Sequence, residues 1–427
     1  MGMVEDLPYV PPGLLLLIEG FSGCRSVKNM RSLFRDMLPE LRDQSEAFET
    51  ANHSRDTNPQ LSARFEIHLH GALDLLSGEG CQSLDCRIAA ANRIACSAGL
   101  IADRVWLTDT LSERLIDFGR TTNRKIDRVI GDVLVIARLL PLIRAGIVKF
   151  RSPWLSTCSS CAQRFEMEIE TASDHVAKLF RRDFRIEPIG EHGYSAYTGR
   201  CLEPPVIYRS GPKETTIPTA LDFGAEFVAS QLRSAFWVAR EAALTGGSVF
   251  SNSRVGLAGL LQSEGRLVDR KSLLLLDKER EFSLPWVTDL NAQQIVELRH
   301  EAAKALPMLR EKMARSMTLS NNTEASPSNP TSLVAELREQ AEYVRAELEA
   351  KRKGAARYWK VTYGILGLGC SAYGVAADQI LPSVGGLLSV LHLLISHKAG
   401  YETDVSMLEA KPGYVLLKAQ DILSHAH

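Results

Sequence analysis

The chain has 427 residues, of which 45% are hydrophobic and 24% charged, and its formal net charge is −1. This is ordinary globular composition, which excludes a largely disordered or collagen-like chain, and at roughly 150 residues per domain it suggests two or three folded units. Near-zero charge also lacks the footprint of a dedicated nucleic-acid binder, whose affinity comes largely from phosphate neutralisation by clustered Lys and Arg, so no nucleic-acid partner is expected.

The N-terminal stretch MGMVEDLPYVPPGLLLLIEG has no basic n-region, and its apolar run at 14–18 is too short for a secretory core. Asp6 stands where a myristoylation signal would carry Ser or Thr. The eight cysteines form no dense framework, which fits free thiols in a reducing compartment. Cytoplasmic residence is expected.

Along the chain, Phe65 to His70 alternates apolar and polar residues and predicts a strand with one wet face. Thr110 and Glu113 fit a capping box at a helix start. Between 125 and 144, Ile126, Val129, Ile130, Val133, Ile136, Leu139, Leu140 and Ile143 recur at helical spacing, with Pro141 as a kink or stop. Gly146 to Phe150 reads as a short strand, and 185–208 as short strands and turns. Helix returns over 217–243 until Gly246-Gly247-Ser248 breaks it, and Asn291 with Gln294 caps another helix through Ile295, Leu298, Ala302 and Ala305.

Residues 318–331 are rich in Ser, Asn, Thr and Pro and read as a linker. Beyond it, Leu333, Leu337, Ala341, Val344 and Leu348 form a short heptad-like seam through which the chain could self-associate. Two apolar segments follow, 361–377 and 380–395, behind a basic flank of Lys351, Arg352, Lys353, Arg357 and Lys360. Each sits at the lower end of the roughly 17–25 residues a membrane span requires. Paired as a hairpin turning at Asp378, with Pro382 just beyond, they would keep both ends on the basic side of a bilayer. Gly364, Gly367 and Gly374 would allow close helix approach, while His392 would need a partner or a headgroup. A buried hairpin in a core or oligomer interface is the alternative. No internal repeat is present.

The most site-like motif is Cys158-Ser159-Ser160-Cys161, which could hold one edge of a zinc site or form a redox pair. Zinc is the only cofactor the sequence suggests. Against the redox version, the alternation of strands and helices around a parallel sheet is not evident in the sequence. His68 and His70 share one face of the predicted strand and could join a metal centre, or simply face water. The glycine pattern at Gly367, Gly369 and Ala372 lacks the acidic residue about 20 positions on that a dinucleotide site needs. No catalytic residue is nominated.

The expected architecture is mainly α with an α+β character. Residues 1–150 form a helix-rich part and 151–316 a mixed part holding the CxxC pair. A disordered linker at 317–331 then leads to 332–427, with an amphipathic helix, the hairpin at 361–395 and a polar tail. The expected function is a non-enzymatic, membrane-associated sensor or effector, with membrane lipid as a partner and a cytoplasmic ligand-binding region. The alternative is a soluble zinc-binding or thiol-dependent enzyme.

Overall fold

A computed structural model describes residues 7–53, 65–119, 122–153, 158–189, 193–198, 206–210, 217–263, 283–284, 290–317, 336–337, 339–346, 368–369, 374–375 and 406–425. These are mostly helical, with a few strands in a small parallel sheet. Helices α1 (Pro12–Ser22) and α2 (Val27–His53) come first, α1 opening on a proline whose missing N–H is harmless there. Strand β1 (Glu66–His70) leads through α3 (Leu84–Cys96) and α4 (Ala98–Ile101) to β2 (Arg104–Thr108). From there α5 (Thr110–Ile116), α6 (Asn123–Ala137) and α7 (Leu140–Arg144) lead to β3 (Val148–Arg151).

The return is longer. Helix α8 (Ser159–Phe180) is followed by an antiparallel meander of β4 (Arg185–Ile189), β5 (Gly193–Tyr197) and β6 (Val206–Ser210), and then by α9 (Ala220–Thr245). Gly246, at φ 68°, supplies the left-handed turn that ends α9 and admits β7 (Ser248–Ser251). β7 pairs in parallel with β1, β1 with β2, and β2 with β3, giving the order β7-β1-β2-β3. The chain winds one way from β1 to β3 and then crosses back to the far side of β1. That reversal between β1 and β7 is a topological switch point, beside which open α/β sheets bind ligands at the strands' carboxyl ends.

The sheet has two unlike faces, both covered. Ile67, Leu69, Val105, Leu107, Val148 and Phe150 join a core with α1, α3, α5, α6 and α7. Glu66, His68, His70, Trp106, Lys149 and Arg151 alternate onto the other face and are also buried. That face lies partly under α9, whose Thr245 Oγ1 lies 2.9 Å from His68 Nε2, and against the N-terminal segment, where Tyr9 meets Trp106 edge-on. The wet strand face expected at 66–70 is therefore a buried polar face, because a parallel sheet is covered on both sides. A second core joins α8, β5, α9 and helix α10 (Arg254–Ser263).

Helices α11 (Ala292–Glu301), α12 (Leu306–Met317) and α13 (Gly413–His425) extend the first core. Leu337, Ala341 and Val344 of the expected self-association seam are buried there too, inside their own chain. The Asn291–Gln294 capping box is present with both of its hydrogen bonds. The helix expected at Thr110 is capped instead by Asp109, whose carboxylate accepts the N–H groups of Leu111 and Ser112, while Thr110 donates its hydroxyl to Leu76.

The linker at 318–331, Gly364, Gly367, Asp378, Pro382, His392 and the flank Lys351, Arg352, Lys353, Arg357 and Lys360 lie outside the described residues. Of the expected hairpin only 368–369 and 374–375 are described, as two-residue strands β9 (Leu368–Gly369) and β10 (Gly374–Val375). β9 pairs with β8 (Ser283–Leu284), and β10 lies antiparallel to β7. Among the described residues no helix is long and apolar enough to cross a membrane.

Arg299 of α11 docks the C-terminal helices onto the sheet layer. Its Nη1 donates to the carbonyls of Gly99, Leu100 and Ala102 at 2.8, 2.8 and 2.6 Å, at the α4 terminus where a helix leaves carbonyls without partners. Burial, and then the charge of Arg310, lower its pKa to about 10, which leaves it cationic at neutral pH. Arg299→Ala is expected to cost roughly 2–3 kcal/mol. A lower urea midpoint at unchanged slope would show it, and an unchanged midpoint would contradict it.

Candidate functional site

The loops that leave β1 and β7 meet at the carboxyl edge of the sheet. Gly71, at φ 72°, turns the chain out of β1, and a Cβ on it would lie 2.7 Å from Asn252 Oδ1. The same Asn252 oxygen accepts the Ala72 N–H at 2.8 Å, so the two loops are pinned together. Ser253 caps α10 by accepting the Gly256 N–H at 3.1 Å, and its hydroxyl reaches Gln231 of α9, also at 3.1 Å. A Cβ on Gly256 would lie 2.6 Å from the His70 ring, so this position admits glycine alone without a shift.

Asp74 and Arg151 tie the remaining strand ends together. The Arg151 Nη2 group donates to Asp74 Oδ2 at 3.0 Å, to Thr108 Oγ1 at 2.9 Å and to the Leu69 carbonyl at 2.8 Å, and Nη1 donates to the Trp106 carbonyl at 3.2 Å. Asp74 also accepts the Thr108 N–H and hydroxyl. Both side chains are buried. Burial raises the Asp74 carboxyl and lowers the Arg151 guanidinium, each opposed by the charge of the other.

Above this layer lies a cavity of about 570 Å³. Its floor carries His70, Asp74, Glu79, Thr108 and Thr110, and its walls include Phe165 of α8 with Trp237 and Val238 of α9. Phe165 and Trp237 meet edge-on at 5.5 Å. Three buried polar atoms of this lining have no hydrogen-bond partner among the described residues: His70 Nε2, Glu79 Oε2 and Trp237 Nε1. Buried polar atoms are normally satisfied, so three around one cavity point to groups that a bound molecule would answer.

Their chemistry differs. His70 is fully buried with Nδ1 2.7 Å from Ser251 Oγ, and burial first, then Arg151, lower its pKa to about 3. The ring is neutral at ordinary pH, and either tautomer leaves Nε2 as an unanswered donor or acceptor. Glu79 keeps some surface open to the cavity while its carboxylate is enclosed. Burial raises its pKa to about 7, assisted by the charge of Asp74 and opposed by hydrogen bonds from Ser234 and Gln231. Trp237 offers a donor only.

His68, by contrast, is satisfied. Arg151 lies 3.4 Å from Nδ1, so the ring proton sits on Nε2, faces Thr245 Oγ1, and Thr245 in turn donates to the Ala242 carbonyl. Cys158 and Cys161 lie at the start of α8, with both thiols free. Among the described residues no group of three or more His, Cys, Asp or Glu side chains is placed to hold a metal ion. Sequence reasoning missed Asp74, Glu79, Arg151 and Trp237. A usable signal existed in two short runs, Phe65 to His70 ending on Gly71 and Ser248 to Ser251 ending on Asn252-Ser253, had both been read as parallel strands.

Comparison with protein families, curated proteins and solved structures finds no match to this chain.

The raised pKa of Glu79 has a measurable consequence. Its ordinary value is 4.5 and its folded value about 7, so the folded state holds the proton more tightly and stability falls as pH rises through that window. Relative to Glu79→Gln, the native protein is expected to lose on the order of 2–3 kcal/mol between pH 4.5 and 7 and nothing further above it. Urea unfolding of both proteins across that range reads the difference, and parallel stability curves would contradict the assignment.

Proposed function

We propose that the protein is a non-enzymatic sensor that binds a small, uncharged, polar molecule with one flat apolar face in the cavity at the β1/β7 switch point. The observation that carries this reading is the set of unanswered atoms at His70, Glu79 and Trp237 around one cavity. Glu79 accepts a hydrogen bond from the ligand when ionised, Trp237 donates one, and Phe165 and Trp237 offer the apolar wall. A phosphate is disfavoured: β1 leads into a short 3₁₀ turn at Gly71–Leu73 rather than a helix N-terminus, and the α5 N-terminus is already filled by the Asp109 carboxylate. Nucleosides and nucleobases combine a flat ring with adjacent donors and acceptors, and they are the class this lining suits.

The apolar segments at 361–395, with their basic flank, support a membrane-facing output for such a sensor. The ligand half of this reading is tested by calorimetry of full-length protein against a panel of nucleosides and nucleobases. At least one should bind and be recovered unchanged, and Trp237→Phe, which keeps the ring but removes the donor, should weaken it about tenfold. No binding by any member would overturn the ligand class, and turnover of the bound compound would overturn the non-enzymatic reading. The membrane half fails if full-length protein and a chain ending at Met317 both stay in the supernatant when cells are lysed without detergent.

A further inference from the structure

The parallel sheet supplies a setting for the CxxC pair that the sequence pattern alone lacked. Strand β3 ends at Arg151 at the carboxyl edge, and α8 begins eight positions on at Ser159, with Cys158 as its N-cap and Cys161 in its first turn. This strand-to-helix placement is where a CxxC acts as a redox motif, because the free N–H groups of the first turn favour a thiolate. Cys158 is exposed, whereas Cys161 is half-buried and lines an open hollow of about 880 Å³ between α8, α9 and α10.

We propose that Cys158 and Cys161 form a thiol–disulfide exchange site, with exposed Cys158 as the attacking thiol and Cys161 as the resolving one. Three positions apart at the start of one helix, the two residues are neighbours, and the Cys158 thiol is lowered from its ordinary value, first by the backbone N–H of Cys161 and then by the Cys161 thiol. Another adjacent pair gives an internal contrast. At Cys81 and Cys86 the neighbouring thiol pushes Cys86 upward, so it makes the poorer nucleophile.

The oxidant is a small-molecule disulfide such as glutathione disulfide. The Cys158 thiolate attacks one of its sulfurs; that S–S bond breaks, and the first glutathione leaves as a thiolate that takes a proton from water. The Cys161 thiolate then attacks Cys158 Sγ, forming the intramolecular bond and releasing the second glutathione. Two protein thiols are oxidised by two electrons and one glutathione disulfide is reduced to two thiols, while a dithiol such as dithiothreitol reverses the sequence. Ala162, which follows Cys161 directly, and Phe165 and Glu166 in the next turn of α8 line the cavity beside Trp237.

Full-length protein equilibrated in glutathione redox buffers and mapped by mass spectrometry tests this. The expected product is a reversible Cys158–Cys161 disulfide; Cys161→Ser should trap glutathione on Cys158, and Cys158→Ser should leave Cys161 unmodified. Because Cys158 is exposed, the serine variant there should unfold at the native urea midpoint, which separates lost chemistry from lost structure. The proposal is overturned if Cys161→Ser captures no glutathione, if the mapped disulfide is Cys81–Cys86 alone, or if the reduced protein holds stoichiometric zinc on this pair and the thiols react only after chelation.

Discussion

The contact between Asp74 and Arg151 is the constraint on which the carboxyl edge of this molecule depends. Two charges removed from water each carry a penalty of several kcal/mol, so neither tolerates the loss of the other. Arg151 ends β3, and its guanidinium passes over the ends of β2 and β1 to reach the loop that carries Glu79. One side chain thereby fixes three strand ends and the loop above them. The cavity exists in its present shape because that loop cannot relax away from the sheet.

The sheet's second face extends the same logic. Polar residues on a parallel sheet are enclosed rather than wetted, and each must find an internal partner. Glu66 accepts from Arg104 and from the Trp106 indole, His68 lies between Arg151 and Thr245, and Lys149 donates to the Pro8 carbonyl. Burial keeps both histidines neutral, so their contribution to stability is full above the ordinary histidine value of 6.5 and is lost as pH falls below it. Glu79 acts with the opposite sign, so between about pH 4.5 and 6.5 neither contribution is complete. One carboxylate oxygen of Glu79, one ring nitrogen of His70 and the Trp237 indole N–H stand apart, without a partner among the described residues of a lining that is otherwise well connected.

Helices were legible in the sequence because a broad apolar face recurs at helical spacing, as from Ile126 to Ile143, and because the Asn291–Gln294 cap is written in adjacent residues. The strand at 66–70 was legible as a strand but not as a covered one. Period-two alternation is the same whether the polar side meets water or α9, and only the partner across space decides. Strands β2 and β7 escaped because each is short and abuts a helix signal: the start of α5 after Thr108, and the glycine break before Ser248. Without them the parallel order, the switch point and the cavity could not be derived. The Asp74–Arg151 pair spans 77 positions of sequence, and nothing local announces it. The cysteine pair was visible as a motif, and so was the strand leading into it, but the parallel sheet to which that strand belongs was not.

The central claim is that Asp74 and Arg151 act as one unit holding the carboxyl edge. A double-mutant cycle with Asp74→Ala, Arg151→Ala and the combined variant, read by urea unfolding, measures this directly. Each single change should cost roughly 3–5 kcal/mol because it strands the other charge, and the double variant should cost little more than either, giving a coupling a little smaller than one single loss, about 3–4 kcal/mol. Losses that simply add would show that the two residues stabilise the fold independently, and the account of the site built on them would fail.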